Sequence, residues 1–229
     1  MTFLIGLISL GFLFASQNTG WAPYFNSHGM ILVFGGSVCV FLMVTPFQTL
    51  KHVWAFVKML WKDEQNISST ELKSLLTTPN AQVPDPFGVV NLARDLWELG
   101  VSAQEYEDML FAHAESCLNR DTAAIGAIRN LGKYPPALGM VGTVMGMIQL
   151  FGGLGGNTQQ AQVGGQLALA MTSTFYGLIL SNYILMPVAD RMDTKKEMRR
   201  VNLEQTIRVL VSIQSKQPKF VTERLLDAS

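Results

Sequence analysis

Charge is scarce in this sequence. Only 15% of its 229 residues are Asp, Glu, Lys or Arg, against roughly 25% in ordinary soluble domains, while 48% are apolar. That balance points to lipid rather than water. Neither sign of charge is in excess, since 17 basic residues face 17 acidic ones; nothing recommends nucleic acid, which needs a clustered basic surface. Cysteine is nearly absent. Cys39 lies in an apolar run and Cys117 in a polar one, with no partner at metal-ligand spacing and no framework of bridges, so both are expected as free thiols. His28, His52 and His113 are scattered and have no second ligand nearby, which argues against a metal. There is no phosphate-loop sequence and no nucleophile with a spaced base, so no enzyme active site and no cofactor is expected.

What is present is long apolar runs. Four of them approach the 20 or so residues that span hydrocarbon as a helix: Met1 to about Ser16, Gly29 to about Phe47, Ala137 to about Leu154, and Leu167 to about Val188. None contains a charged residue, which permits insertion at low cost. The first run is read as a span and not a cleaved signal, because Met1 and Thr2 give it no positive flank. The expected fold class is an all-α membrane protein with four transmembrane helices and a small helical cytoplasmic domain. Its parts are residues 1–47 (helices one and two), 48–134 (the cytoplasmic domain), 135–189 (helices three and four) and 190–229 (a cytoplasmic helix and tail). Residues 17–28 and 155–166 carry no Lys or Arg. By contrast Lys51, Lys58 and Lys62 follow the second run, and Arg191, Lys195, Lys196, Arg199 and Arg200 follow the fourth. The positive-inside rule then puts both termini in the cytoplasm. Trp21, Tyr24 and Phe25 read as an aromatic interface belt.

Within the polar section, Ser102 and Glu105 have capping-box spacing. They are expected to open a helix to about Asn119, with Tyr106, Met109, Leu110 and His113 on its buried face. Residues 65–86 read as turns and a short helix. After the fourth run, residues 193–215 are amphipathic, with Val201, Ile207, Leu210 and Val211 placed on one face, and the helix is expected to end near Pro218.

Polar side chains inside spans are where function is sought. Ala170, Thr174, Gly177 and Ser181 recur at helical spacing, as do Gly139, Thr143, Gly146 and Leu150, and Gly142 with Gly146 forms a small-xxx-small pair. One reading is helix packing alone. The other is that Thr143 and Thr174 line a cation path with hydroxyl oxygens. A path through hydrocarbon also needs a carboxylate. The runs have none, so a partner must supply it.

Several stretches together resemble the MotA and PomA family of flagellar stator subunits. They are Pro136 to Gly146 (P-A-L-G-M-V-G-T-V-M-G), Leu167 to Asn182 (L-A-L-A-M-T-S-T-F-Y-G-L-I-L-S-N) and Pro187 to Asp190. Ile31 to Gly36, Ile213 with Gln214, Pro218, and Phe220 to Leu226 agree with them. The resemblance implies a homo-oligomer of five copies in the bacterial inner membrane. It would surround a dimer of a single-span MotB/PomB-like subunit whose aspartate carries the translocated Na+ or H+, and would drive motility by pushing on a flagellar rotor protein. It makes Thr143 and Thr174 ion contacts and puts Ser173 where a further threonine often stands. It assigns Pro136 and Pro187 to torque transmission. Glu105 aligns with the family's acidic rotor contact; the basic contact falls near Trp97 and Glu98, with Arg94 as its substitute. The cytoplasmic section departs from the family in being shorter by roughly one helical hairpin, at 1.5 Å per helical residue. The alternatives are a TolQ/ExbB-like energiser, whose type has three spans and an outside N-terminus, and a passive scaffold whose stripes only pack helices.

Overall fold

The computed structural model describes residues 24–60, 87–153 and 160–214, and no strand occurs among them. Helix α1, Ser27–Val44, starts because the Asn26 side chain accepts a hydrogen bond from the Gly29 N–H at 3.1 Å, satisfying one of the free donors of a first turn. It ends where Thr45 turns extended, as a residue before proline tends to do. Then come α2 (Phe47–Leu60), α3 (Val89–Glu98), α4 (Ala103–Leu131), α5 (Tyr134–Gly153) and α6 (Gln160–Ile179). A π-helical turn, Leu180–Leu185, leads from α6 into α7 (Met186–Gln214). Gly88 ahead of α3 and Gly100 after it have φ of 71° and 66°, a region glycine enters without the clash a Cβ brings.

Proline explains two boundaries. Pro135 and Pro136 do not break a helix but open one, lying in the first turn of α5, where the missing N–H would be unbonded anyway. Pro187 is the second residue of α7 and cannot donate into the turn before it. The wide Leu180–Leu185 turn immediately upstream takes up that misfit, as π turns do in otherwise α-helical segments.

The chain divides into two compact units, Met1–Trp54 with Ala124–Arg191, and Ala55–Ala123 with Met192–Ser229. Within the first, α5 and α6 form the main packed pair, with α1 against them. Among the described residues three helical stretches are long and apolar enough to cross a membrane: Ser27–Val44, Ala103–Gly153 and Val163–Gln214. In the second, α5 is the charge-free part, and in the third residues 163–189 are. Large apolar side chains are exposed along them, among them Val38 and Leu42 on α1, Val144 and Ile148 on α5, and Leu178 on α6. On α5 and α6 four of them are methionines: Met140, Met145 and Met147 on α5 and Met171 on α6. Contiguous apolar surface of this kind belongs against lipid or another protein chain.

The second unit has an ordinary core. Val89, Ala93 and Leu96 of α3 meet Tyr106, Leu110 and Ala114 of α4 and Leu203, Ile207 and Leu210 of α7. Beside it, Arg199 forms an ion pair with Asp121 at 2.7 Å, with the two side chains only 11% and 17% exposed. The guanidinium lies over the rings of Phe87 and Phe56, 4.5 and 5.4 Å from their centroids. His113 bonds the Phe87 carbonyl through Nε2 at 2.9 Å and so holds that ring's backbone in place.

Several expectations need correction. The helix opened by Ser102 does not stop near Asn119 but runs to Leu131, since nothing between Arg120 and Leu131 breaks it. Met109 is exposed and Val201 is exposed. The inward faces are Tyr106, Leu110 and Ala114 on α4 and Leu203, Ile207 and Leu210 on α7, spaced three to four residues apart as a helical face requires. The second span ends at Val44 rather than Phe47, and residues 160–166, read as loop, are helical. The expected first span, Trp21, residues 65–86 and the tail beyond Gln214 lie outside the described residues.

Candidate functional site

The α5 and α6 backbones approach each other through glycine. A Cβ built on Gly139 would sit 2.9 Å from the Ser173 carbonyl oxygen and the Thr174 Cα, and one on Gly146 would sit 2.7 Å from the Gln166 carbonyl. At Gly142 it would run into the Ser173 side chain, and at Gly177 into the Pro135 carbonyl. A side chain at any of the four would push the helices apart, so the small-residue stripes set the spacing between them.

That spacing brings two hydroxyls together. Thr143 Oγ1 and Thr174 Oγ1 are 2.6 Å apart. Thr143 Oγ1 is also 3.0 Å from the Ala170 carbonyl and 3.2 Å from that of Gly139, and Thr174 Oγ1 is 3.2 Å from the same Gly139 oxygen. Each threonine has one hydroxyl hydrogen, so two hydrogens serve four close oxygen contacts. The cluster is richer in acceptors than in donors, the electrostatic character that hard cations prefer in their ligands. Both threonines are half-buried, which leaves one side of the pair open.

Ser173 is placed differently. It is fully buried, donates to the Leu169 carbonyl at 2.6 Å, and fills the space left by Gly142 and Gly29. Its contacts are packing contacts. Pro136 borders Gly177, and Pro187 follows the π turn, where Ser181 Oγ donates to the Gly132 carbonyl at 2.6 Å. Arg94 and Glu98 lie exposed one turn apart on α3. Glu105 closes its capping box, its Oε2 accepting from Ser102 N and Oγ at 3.2 and 2.8 Å. Among the described residues no group of three or more His, Cys, Asp or Glu could hold a metal.

Sequence reasoning passed over Tyr176. Its hydroxyl accepts from the Asn26 N–H at 2.9 Å and donates to the Tyr24 carbonyl, fastening the entry of α1 to α6. The only signal was a polar tip near the middle of an apolar run. Tyr176→Phe strips both backbone groups of this partner, and we expect it to cost about 1–3 kcal/mol. Hydrogen exchange at residues 24–29 in the purified protein should quicken by a matching factor; unchanged exchange would show the contact to be idle.

A model of the MotA/TolQ/ExbB proton channel family matches residues 80–205. The chemotaxis protein PomA of Vibrio alginolyticus is 29% identical over 107 residues, which is 47% of this chain and 41% of that protein. This match therefore spans less than half the length of that relative. Motility protein A of Bacillus subtilis is 22% identical, with 98% of this chain and 89% of that protein covered. A chain of the flagellar MotAB stator complex from Bacillus subtilis superimposes with a TM-score of 0.77 at 21% identity, covering 96% of this chain and 92% of that one. At this identity, the superposition speaks to the fold.

Proposed function

Because the chain belongs to the MotA/TolQ/ExbB proton channel family, we propose that it is a MotA-type stator subunit, which supplies the wall of a cation path and converts cation flow into torque. The single observation that carries this reading is the Thr143–Thr174 hydroxyl pair, held by glycine-spaced helices and open on one side. A MotB-like single-span subunit would bring the carboxylate that these helices lack, and Na+ or H+ would pass between that carboxylate and the threonine oxygens. Five copies would surround a dimer of this partner. In this reading the chain spans the inner membrane four times with both termini in the cytoplasm, residues 1–16 forming the first span.

Within that assembly Pro136 near the start of α5 and Pro187 near the start of α7 lie on the cytoplasmic side and transmit torque. Arg94, Glu98 and Glu105 face the output partner, a flagellar rotor protein. Relatives named for motility over most of their length favour this output over the energising of an outer membrane.

The test is swimming of cells that express the chain with its MotB-like partner, in sodium and in sodium-free buffer. Thr143→Val and Thr174→Val keep the volume and remove the hydroxyl. Each should abolish swimming while the protein still assembles, and Thr174→Ser should retain part of it. Swimming at the wild-type speed in both valine variants would remove the pair from the mechanism.

A further inference from the structure

We propose that the outward stripe of the first two turns of α2 is a binding site for the headgroups of anionic phospholipids. Phe47, Lys51 and Trp54 fall at i, i+4 and i+7 of one helix, a single narrow stripe. All three are exposed, Phe47 by 76% and Trp54 by 75%. Val53, Phe56 and Leu60 occupy the opposite side of the helix and are buried, which fixes the stripe outward.

Depth and sign identify the occupant. The charge-free helix α1 ends at Val44, only Thr45 and Pro46 intervene, and Phe47 opens α2. The stripe therefore starts where hydrocarbon gives way to headgroups. Aromatic rings settle at that level, and a lysine there lays its methylene stem along apolar surface while its ammonium reaches the phosphates. Residues 1–62 contain Lys51, Lys58 and Lys62 and no Asp or Glu at all. No acidic side chain in this part of the sequence opposes a negative headgroup. A zwitterionic headgroup would satisfy the two rings but offers the lysine no net charge, so the selectivity is for lipids such as phosphatidylglycerol. The inference rests on α1 crossing the bilayer, and is independent of which cation passes or what machine is driven.

Trp54 reports on the site directly. The full chain with its partner would be reconstituted in phosphatidylcholine vesicles containing 20 mol% of either brominated phosphatidylglycerol or brominated phosphatidylcholine. The Trp54 signal is the wild-type fluorescence minus that of Trp54→Phe. Brominated phosphatidylglycerol should quench it with an apparent affinity about fivefold above that of the brominated zwitterion, the preference one interfacial lysine confers. Lys51→Gln should erase the preference and Lys51→Arg should keep it. Equal quenching of wild type by both lipids would overturn the headgroup selectivity. Quenching by neither, with Trp54 open to aqueous iodide, would overturn the membrane contact itself.

Discussion

Gly142→Val will not yield an assembled protein. The added Cβ alone would overlap the Ser173 side chain, which is fully buried and has no room to retreat, and valine adds two further carbons. Overpacking a tight core costs about 1–3 kcal/mol where side chains can adjust. Here the obstruction lies across the α5/α6 contact, so relief means separating the helices. Separation also opens the contacts at Gly139 and Gly146 and breaks the Thr143–Thr174 pair. We expect loss of the oligomer on size-exclusion chromatography and loss of function together. The control is Gly126→Ala in α4, where an added Cβ meets nothing within 4 Å. That change should be neutral or stabilise by up to about 1 kcal/mol through helix propensity. Normal assembly of Gly142→Val would mean that the glycines are not what sets the helix spacing.

The second large effect falls on the other unit. Asp121→Ala takes the carboxylate from Arg199 while the guanidinium stays over the rings of Phe87 and Phe56. Removing one member of a buried pair costs about 3–5 kcal/mol, because the remaining charge is left in a poor solvent for it. For a chain of this size that corresponds to a fall in melting temperature on the order of 10 °C. The double change Asp121→Leu with Arg199→Met should recover most of the loss, since apolar replacements of a buried pair are often neutral or better. Thermal unfolding in detergent would show both. If the single change melts with the wild type, the pair contributes nothing, and if the double change is no better than the single, the aromatic contacts of Arg199 matter more than its charge.

The parts of this architecture that were legible in the sequence depend on composition. The absence of any charge between Gly29 and Val44, between Ala137 and Gly153, and between Leu167 and Ala189 marks three apolar helices without reference to geometry. The Ser102–Glu105 capping box is legible because its chemistry is local. The small stripes around Gly142 and Gly177 showed that two helices could come close, but the Thr143–Thr174 contact links residues 31 apart. Spacing alone could not decide between packing and pathway. The π turn at Leu180–Leu185 leaves no mark on the apolar pattern, because a hydrogen-bond register can slip by one residue without changing which residues are apolar; Pro187 signals a disturbed turn but not its form. The Arg199–Asp121 pair is 78 residues apart in sequence and could not be read at all. Val201 was misplaced because apolar character suggests burial only through its neighbours, and Val201 falls off the face that Leu203, Ile207 and Leu210 share.

Methionine makes a poor lock. Met140, Met145, Met147 and Met171 stand outward on α5 and α6, unbranched side chains with three rotatable bonds and a soft sulfur that deform instead of interlocking. The branched Val144 and Ile148 exposed on α5 have fewer rotamers and give a neighbour a more definite register. Thioethers give shallow wells of similar depth. Where a neighbouring chain or lipid meets these four positions, the thioethers yield to it and do not fix its register.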